Sequence, residues 1–411
     1  MKAGTAIAAL CAACLSVSQV DASDVSVKAW AIPEYHTLNS ASPFAPGAAQ
    51  SRFGKNRTRE EFELRARVWD VNLVATAATT AMEQYKPEYT TVVNELNYDF
   101  SLAGERFSLG KKIVSWDVGF GYRPLDLLQQ ENRRSIVTTT LEGIPYLAWE
   151  TFSGDSAWML IYANPGQGRA GVAKNDESVA LKYYLRDGTT DWHAVARLSE
   201  RHHFETGAAI STVPLESLEV HGSLLYQHRF EQQYNSLIGT AGVPLSSGDP
   251  MRSQTREHAV TALAGFTLTG EAGFSLLGEA WYDATAYSAA EWRDVKELVS
   301  RQAGLLSQGI PPAAVSGNSA YSLHYFDQPN VLKENLLLRL SHRHEGENWE
   351  PAVDLLCTPA DGGLVITASL AYSGNHFRVD GGVRQYGGAG GSAYRLLPEE
   401  RIIYFALQGF W

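Results

Sequence analysis

The stretch "SWDVGFGYRPLD", Ser115–Asp126, sets two carboxylates and a guanidinium within ten residues: Asp117, Arg123 and Asp126. Such a set can move protons or filter charged solutes. One alternate series here, Val114, Trp116, Val118, Phe120 and Tyr122, is apolar. The other, Ser115, Asp117, Gly119, Gly121 and Arg123, is small or charged. Three further constellations invite a catalytic or cofactor reading, and none carries it. Gly166, Gly168 and Gly171 spell G-x-G-x-x-G, but a strand-like run follows where a nucleotide site needs a helix. His202-His203 and His342-x-His344 lack a third ligand at metal-binding spacing. No G-x-S-x-G marks a serine nucleophile. The expectation is therefore no enzyme, no metal and no cofactor.

The elements around these residues alternate with period two for most of the chain. In 90–102, Val92, Leu96, Tyr98, Phe100 and Leu102 oppose Glu95, Asn97, Asp99 and Ser101. The same holds for 179–186, 218–230 (with Phe230 on the apolar side), 332–343 and 377–386. Tight turns with Gly, Asp, Asn or Pro fall at 103–105, 153–155, 187–190, 214–216, 269–272, 346–347 and 374–375. Between them lie mostly longer links, at 77–87, 123–134, 165–176, 200–203, 232–254, 288–330, 359–362 and 387–399. Short turns on one side and longer loops on the other describe a transmembrane antiparallel β-barrel. The count gives about 16 strands over 59–411, with 14 to 18 open. Residues 288–309 have helical spacing and lie in the longest loop, as a surface cap or as a constriction folded into the pore.

The ends of the chain fit this fold. Lys2, the apolar run 3–17 and Val20-Asp21-Ala22 read as a secretory signal peptide over 1–22. Cys11 and Cys14 leave with it, so Cys357 stands alone. No later segment holds 18 uninterrupted apolar residues, which excludes helical spans. A formal charge of −11 argues against nucleic acid as a partner. Residues 23–58 read as a periplasmic arm or partial plug. The terminal "RIIYFALQGFW" carries Ile403, Phe405, Leu407 and Gly409 on alternate positions before Trp411. It resembles the closing strand of bacterial outer-membrane barrels, with Trp in place of the usual Phe. The resemblance implies recognition by the barrel-assembly machinery.

By this alternation the lumen carries Glu95, Asp99, Asp117, Glu142 and Glu150 early in the chain. Lys182, Arg186, His193, Arg197 and Arg229 follow, then Glu279 and Asp283, then Lys333, Arg339, Arg343, Arg378 and Arg384. Both signs, grouped by strand, suit a charge-selective wet channel; mutual pairing in a filled lumen is the alternative. Trp116, Val118, Phe120 and Tyr122 are expected to face lipid. Arg123, Arg133 and Arg134 are expected at the outer mouth, where they attract anionic or sugar-acid solutes. "GERFSLGKKIVSWDVGFG" is similar to a strand of porin-like families that include the alginate-export group, with Asp117 where Gly is common. The likeness implies an outer-membrane channel for solutes or polysaccharide. The expected function is passive passage of small hydrophilic or sugar-type solutes across the bacterial outer membrane, gated by 288–309. The alternatives are polysaccharide export, a lipid or glycan hydrolase, and a closed structural barrel. The expected partners are outer-membrane lipid and a small or oligomeric solute.

Overall fold

In a computed structural model the chain is described over residues 24–129, 131, 136, 141–164, 176–344 and 346–411. The signal segment, Arg133, Arg134 and the G-x-G-x-x-G stretch lie outside the described residues. Eighteen strands run in chain order through the described residues. They are β1 Asp24–Leu38, β2 Arg57–Val68, β3 Val71–Met82, β4 Glu88–Leu102, β5 Glu105–Lys112 and β6 Ile144–Ser153. Next come β7 Ser156–Ala163, β8 Ser178–Asp187, β9 Thr190–Ser199, β10 His203–Leu215, β11 Leu218–Asn235 and β12 Met251–Thr269. The last six are β13 Phe274–Asp283, β14 Glu334–His342, β15 Trp349–Thr358, β16 Gly363–Ser373, β17 Phe377–Gly388 and β18 Glu399–Phe410. Each pairs antiparallel with its chain neighbours, and β1 pairs with both β2 and β18, which closes the ring.

The ring corrects two expectations. The barrel has 18 strands rather than 16, and the segment expected as an arm supplies β1. The sequence reading missed one turn, Trp69-Asp70, because it carries neither Gly nor Pro; Trp69 itself takes the left-handed conformation, φ 53°. Splitting 57–82 there turns β2 downward, so an upward β1 must precede it. At the seam the Val27 N–H donates to the Trp411 carbonyl at 3.0 Å and the Trp411 N–H to the Val27 carbonyl at 2.9 Å.

The outward face is apolar, as bilayer burial demands. On β18, Ile403, Phe405 and Leu407 are 44–46% exposed, whereas Ile402, Tyr404 and Ala406 point inward and are buried. Outward Trp69, Trp158, Trp192, Trp349 and Trp411 gather at the short-turn end, and Tyr35, Tyr89, Tyr162 and Tyr282 at the opposite end. These are the two aromatic girdles of a membrane barrel.

The longest link, 284–333, folds as a cap over the mouth. Helix α1, Ala289–Gly304, opens with a capping box, Ser288 accepting from the Glu291 N–H while the Glu291 carboxylate accepts from the Ser288 N–H. Helix α2, Pro312–Ser322, follows. Trp292, Val295 and Val299 of α1 pack with Phe44 of the 39–56 link and with Tyr394 and Leu397 of the 389–398 link. The helical segment is thus a surface cap. The loop that enters the lumen is a different one.

Candidate functional site

β5 has only eight residues, and the chain leaves the wall at Lys112 to run into the barrel interior. The opening stretch therefore lies inside the barrel, contrary to its expectation as a lipid-facing strand. Its apolar residues pack against wall residues and not against lipid. Val114, Trp116, Leu125 and Leu128 are buried against inward Ala148, Ile161, Ala163, Ala180, Val195, Ala209 and Leu225 of β6–β11. Alternation shows only that one face is apolar; it does not tell lipid from a dry stretch of inner wall. The inward alanines were the available signal, since a wet lumen has no use for them.

A bulge in β4 roots this loop. Val74 pairs with Glu95 and Ala75 with Val93, leaving Asn94 extra. The Ile113 N–H donates to Glu95 at 2.9 Å, the Asn94 amide to the Leu141 carbonyl at 3.0 Å, and the Gly143 N–H to the Asn94 carbonyl at 2.9 Å. The same bulge moves Val93 to the lipid face in place of the expected Val92.

Asp117 and Asp126 fold the loop upon itself. The Asp117 carboxylate accepts from the Val118 N–H at 2.7 Å, the Gly119 N–H at 3.3 Å and the Leu125 N–H. Asp126 accepts from the Trp116 N–H at 2.6 Å, the Asp117 N–H at 3.2 Å and the Ser115 hydroxyl at 3.0 Å. Burial pushes both carboxyls above the usual aspartate range, against the pull of these donors. Arg123 braces the turn, its Nε donating to the Gly119 carbonyl at 2.8 Å and its Nη1 to Ser115 at 2.7 Å. Asp117 and Arg123 are thus not the free wall and rim charges that the sequence suggested.

The loop tip docks on β13. Glu279, 1% exposed, accepts from the Phe120 and Gly121 N–H groups at 2.6 Å each. Tyr122 stacks on Trp281 with ring centroids 6.0 Å apart and donates to Asp283 at 3.2 Å. Phe120 itself stays 44% exposed and faces the lumen, with the Arg339 guanidinium 5.9 Å from its ring centre.

Opposite the tip, one cross-strand row from β14 to β1 presents Arg339, Asp354, Thr367, Arg384, Ile402 and His36 in mutual register. Arg339 donates to Asp354 at 2.9 and 3.0 Å, Arg384 to Thr367 at 3.0 Å, and Arg378 lies 3.6 Å from Glu350 and from Asp380. A cavity of about 1040 Å³ opens between this row and the loop. Arg57, Arg339 and Arg384 line it with Phe120, Tyr122 and Trp281, and His324 and Phe326 of the cap border it. A second cavity of about 440 Å³ lies beside β2–β5, lined by Arg65, Arg67, Glu95, Asn97 and Lys112.

The remaining expected lumen charges separate. Asp99 accepts from Asn72 at 3.4 Å, Asn97 at 3.2 Å and Ser108 in the lower wall. Arg186 is exposed at the short-turn end of β8. Arg197 is buried between Glu205 at 2.7 Å and Asp176 at 3.5 Å, so it is a structural ion pair. Arg229 leaves the lumen series altogether. Below His228 the buried residues of β11 are His221, Ser223 and Leu225, whereas just above it they are Phe230 and Gln232. This change also puts Phe230 inside rather than on the lipid face. Arg229 meets Glu257 at 3.2 Å and His203 at 2.9 Å, and His203 connects through His228 and His258 to outward Tyr226. The sequence reading also missed Arg57, His36 and Asp354, because it placed 23–58 outside the barrel and did not weigh the 349–358 strand. Among the described residues, no three His, Cys, Asp or Glu side chains converge as a metal site.

Neither a family model nor a curated relative matches the sequence. Solved structures do. The outer membrane protein OpdK from Pseudomonas aeruginosa superimposes with a TM-score of 0.52 at 8% identity, covering 95% of this chain and 99% of its own. The fold is that of the outer-membrane porins. OccD3 (OpdP) of the same organism gives 0.51 at 8%, with 96% and 92% covered. Wzi of Escherichia coli, described as a carbohydrate-binding β-barrel involved in capsule assembly, gives 0.51 at 7%, with 97% and 86% covered. A closed barrel of this fold with an outward apolar band is a bacterial outer-membrane protein.

Proposed function

We propose that this porin-fold barrel is a passive channel for small hydrophilic anions, sugar acids among them. The observation that carries the reading is the cavity between the inward loop and the β14–β1 row. Arg57, Arg339 and Arg384 supply guanidinium donors there beside the carboxylates of Asp354, Asp380 and Glu399, and Phe120, Tyr122 and Trp281 offer flat apolar faces opposite. A guanidinium binds a carboxylate bidentately, and an aromatic face suits the C–H side of a sugar ring. The carbohydrate-binding description of Wzi agrees with the second half of this reading. A loop that fills one side of the lumen argues for small solutes over a wide polysaccharide passage. The reading also makes outer-membrane lipid the surroundings and the assembly machinery the reader of the strand ending in Trp411.

Planar-bilayer recording under a salt gradient tests it. The expected result is discrete conductance with a reversal potential on the anion side, made smaller by sugar acids added to the outer chamber. Folded protein with no conductance would instead install the closed structural barrel.

A further inference from the structure

His221, Gly265 and Glu279 stand side by side on β11, β12 and β13, paired in direct register. The His221 Nε2 lies 2.9 Å from Glu279 Oε1, and its Nδ1 lies 3.0 Å from Glu219 Oε2. An imidazole with a carboxylate on each nitrogen donates to both only as the imidazolium. The space for this pair is made by Gly265, where a Cβ would fall 2.3 Å from His221 Nε2 and 2.7 Å from Glu279 Cγ. The two remaining bonds of Glu279 leave the wall and go to the loop, one oxygen to the Phe120 N–H and the other to the Gly121 N–H. The loop is cut to fit. A Cβ on Gly121 would stand 2.6 Å from Leu337 Cδ2 and 3.0 Å from Glu279 Oε2, and one on Gly119 would strike the Tyr122 carbonyl at 2.0 Å.

A wholly buried carboxylate is costly unless its lone pairs are filled. Here three of the donors are a histidine and two amides of a loop that the barrel wall does not need for closure. We infer that Glu279 is a positioning residue that sets the pore aperture: it hooks the G-F-G tip at residues 119–121 and holds Phe120 across from Arg339. Release of the hook lets Phe120 leave that position and widens the passage. The inference rests on the channel reading for its consequence, but the hook itself is independent of it.

Glu279→Gln is the test, with a second variant, Gly265→Ala, which pushes His221 and Glu279 apart without changing either. In Gln the amide group faces an N–H donor, so one of the two tip bonds is lost. Hydrogen exchange followed by mass spectrometry on the 118–122 segment should quicken about ten-fold or more, the ratio for about 1.4 kcal/mol, near the lower bound for a bond to a charged group. Heat-modifiable gel mobility confirms that the barrel is closed in each variant. In bilayers both variants should give larger and noisier conductance steps than the parent. Unchanged exchange in a folded Glu279→Gln barrel overturns the hook, and faster exchange with the unaltered conductance of a conducting parent overturns its role in setting the aperture. A parent that never conducts, with exchange that still quickens in both variants, keeps the hook and removes the channel reading.

Discussion

The two halves of the wall face the interior with opposite chemistry. From β8 to β11 one inward row reads Lys182, Val195, Gly207 and Leu225, and its neighbours include Ala180 and Ala209. From β14 to β1 the corresponding arc reads Arg339, Asp354, Thr367, Arg384, Ile402 and His36. The first half is dry because the loop lies on it; Gly207 even gives up its side chain so that Leu125 can approach, since a Cβ there would stand 2.5 Å from Leu125 Cδ2. The second half packs Leu356, Val365 and Tyr386 against the cap and turns Arg339, Asp354 and Arg384 to the cavity. An 18-stranded ring is too wide for wall side chains to fill. This protein fills one side with a loop and leaves the cavity eccentric, against the polar arc.

Substitutions of like residues in the two halves should therefore differ, and the largest contrast is between two arginines. Arg197→Met in the dry half leaves Glu205 buried without its cation and Asp176 with His202 alone, and should cost about 3–5 kcal/mol. Arg384→Met in the open half should cost about 1 kcal/mol or less. Thermal midpoints in detergent separate the two, and equal losses would erase the distinction between halves. Next, Leu125→Ala should weaken loop docking by about 2–5 kcal/mol, because Leu125 is fully buried against the wall. The readout is faster hydrogen exchange across 114–128 with intact barrel strands; exchange that stays at the parental rate would mean the loop does not depend on that contact.

A charge reversal probes the open half more directly. Arg339→Glu should shift the reversal potential toward cations by lowering anion preference severalfold. An unchanged potential would remove Arg339 from the selectivity wall. The smallest effect concerns His324 on the cavity border. Its hydrogen bond to Asp327 holds its pKa above the ordinary histidine value. Its positive charge, and the stability that the pair contributes, are full below the ordinary value and are lost as pH rises through the elevated one. Anion preference should thus decline slightly over that window, and His324→Asn should flatten the decline. A decline that persists in the variant would assign it to another group.

The barrel, its face alternation and its closing strand were legible because lipid imposes a period-two code on every strand. In the last strand, Ile403, Phe405 and Leu407 obey that code without exception. Two things escaped it for physical reasons. Trp69-Asp70 turns with Asp70 as its one turn residue and with Trp69 in the left-handed conformation that a bulky side chain rarely takes, held there by the ladder on either side. The Trp116–Tyr122 series carries lipid-like alternation while lying in the lumen, because dry protein and lipid ask for the same side chains. Arg339 and Arg384 line the cavity, whereas Asp117 and Arg123 lie in a loop that turns its polar groups to its own backbone.

The seam between β1 and β18 has a consequence for how the molecule comes into being. β2 and β18 both run antiparallel to β1, so they run parallel to each other. Without β1 the remaining seventeen strands have no antiparallel way to meet, and no smaller ring of the same kind is available by fraying at the seam. The strand nearest the start of the chain must hold one edge unpaired until the strand nearest its end arrives. That wait, across almost the whole sequence, is the longest-range pairing in the fold and the step at which a bare strand edge is most open to a wrong partner.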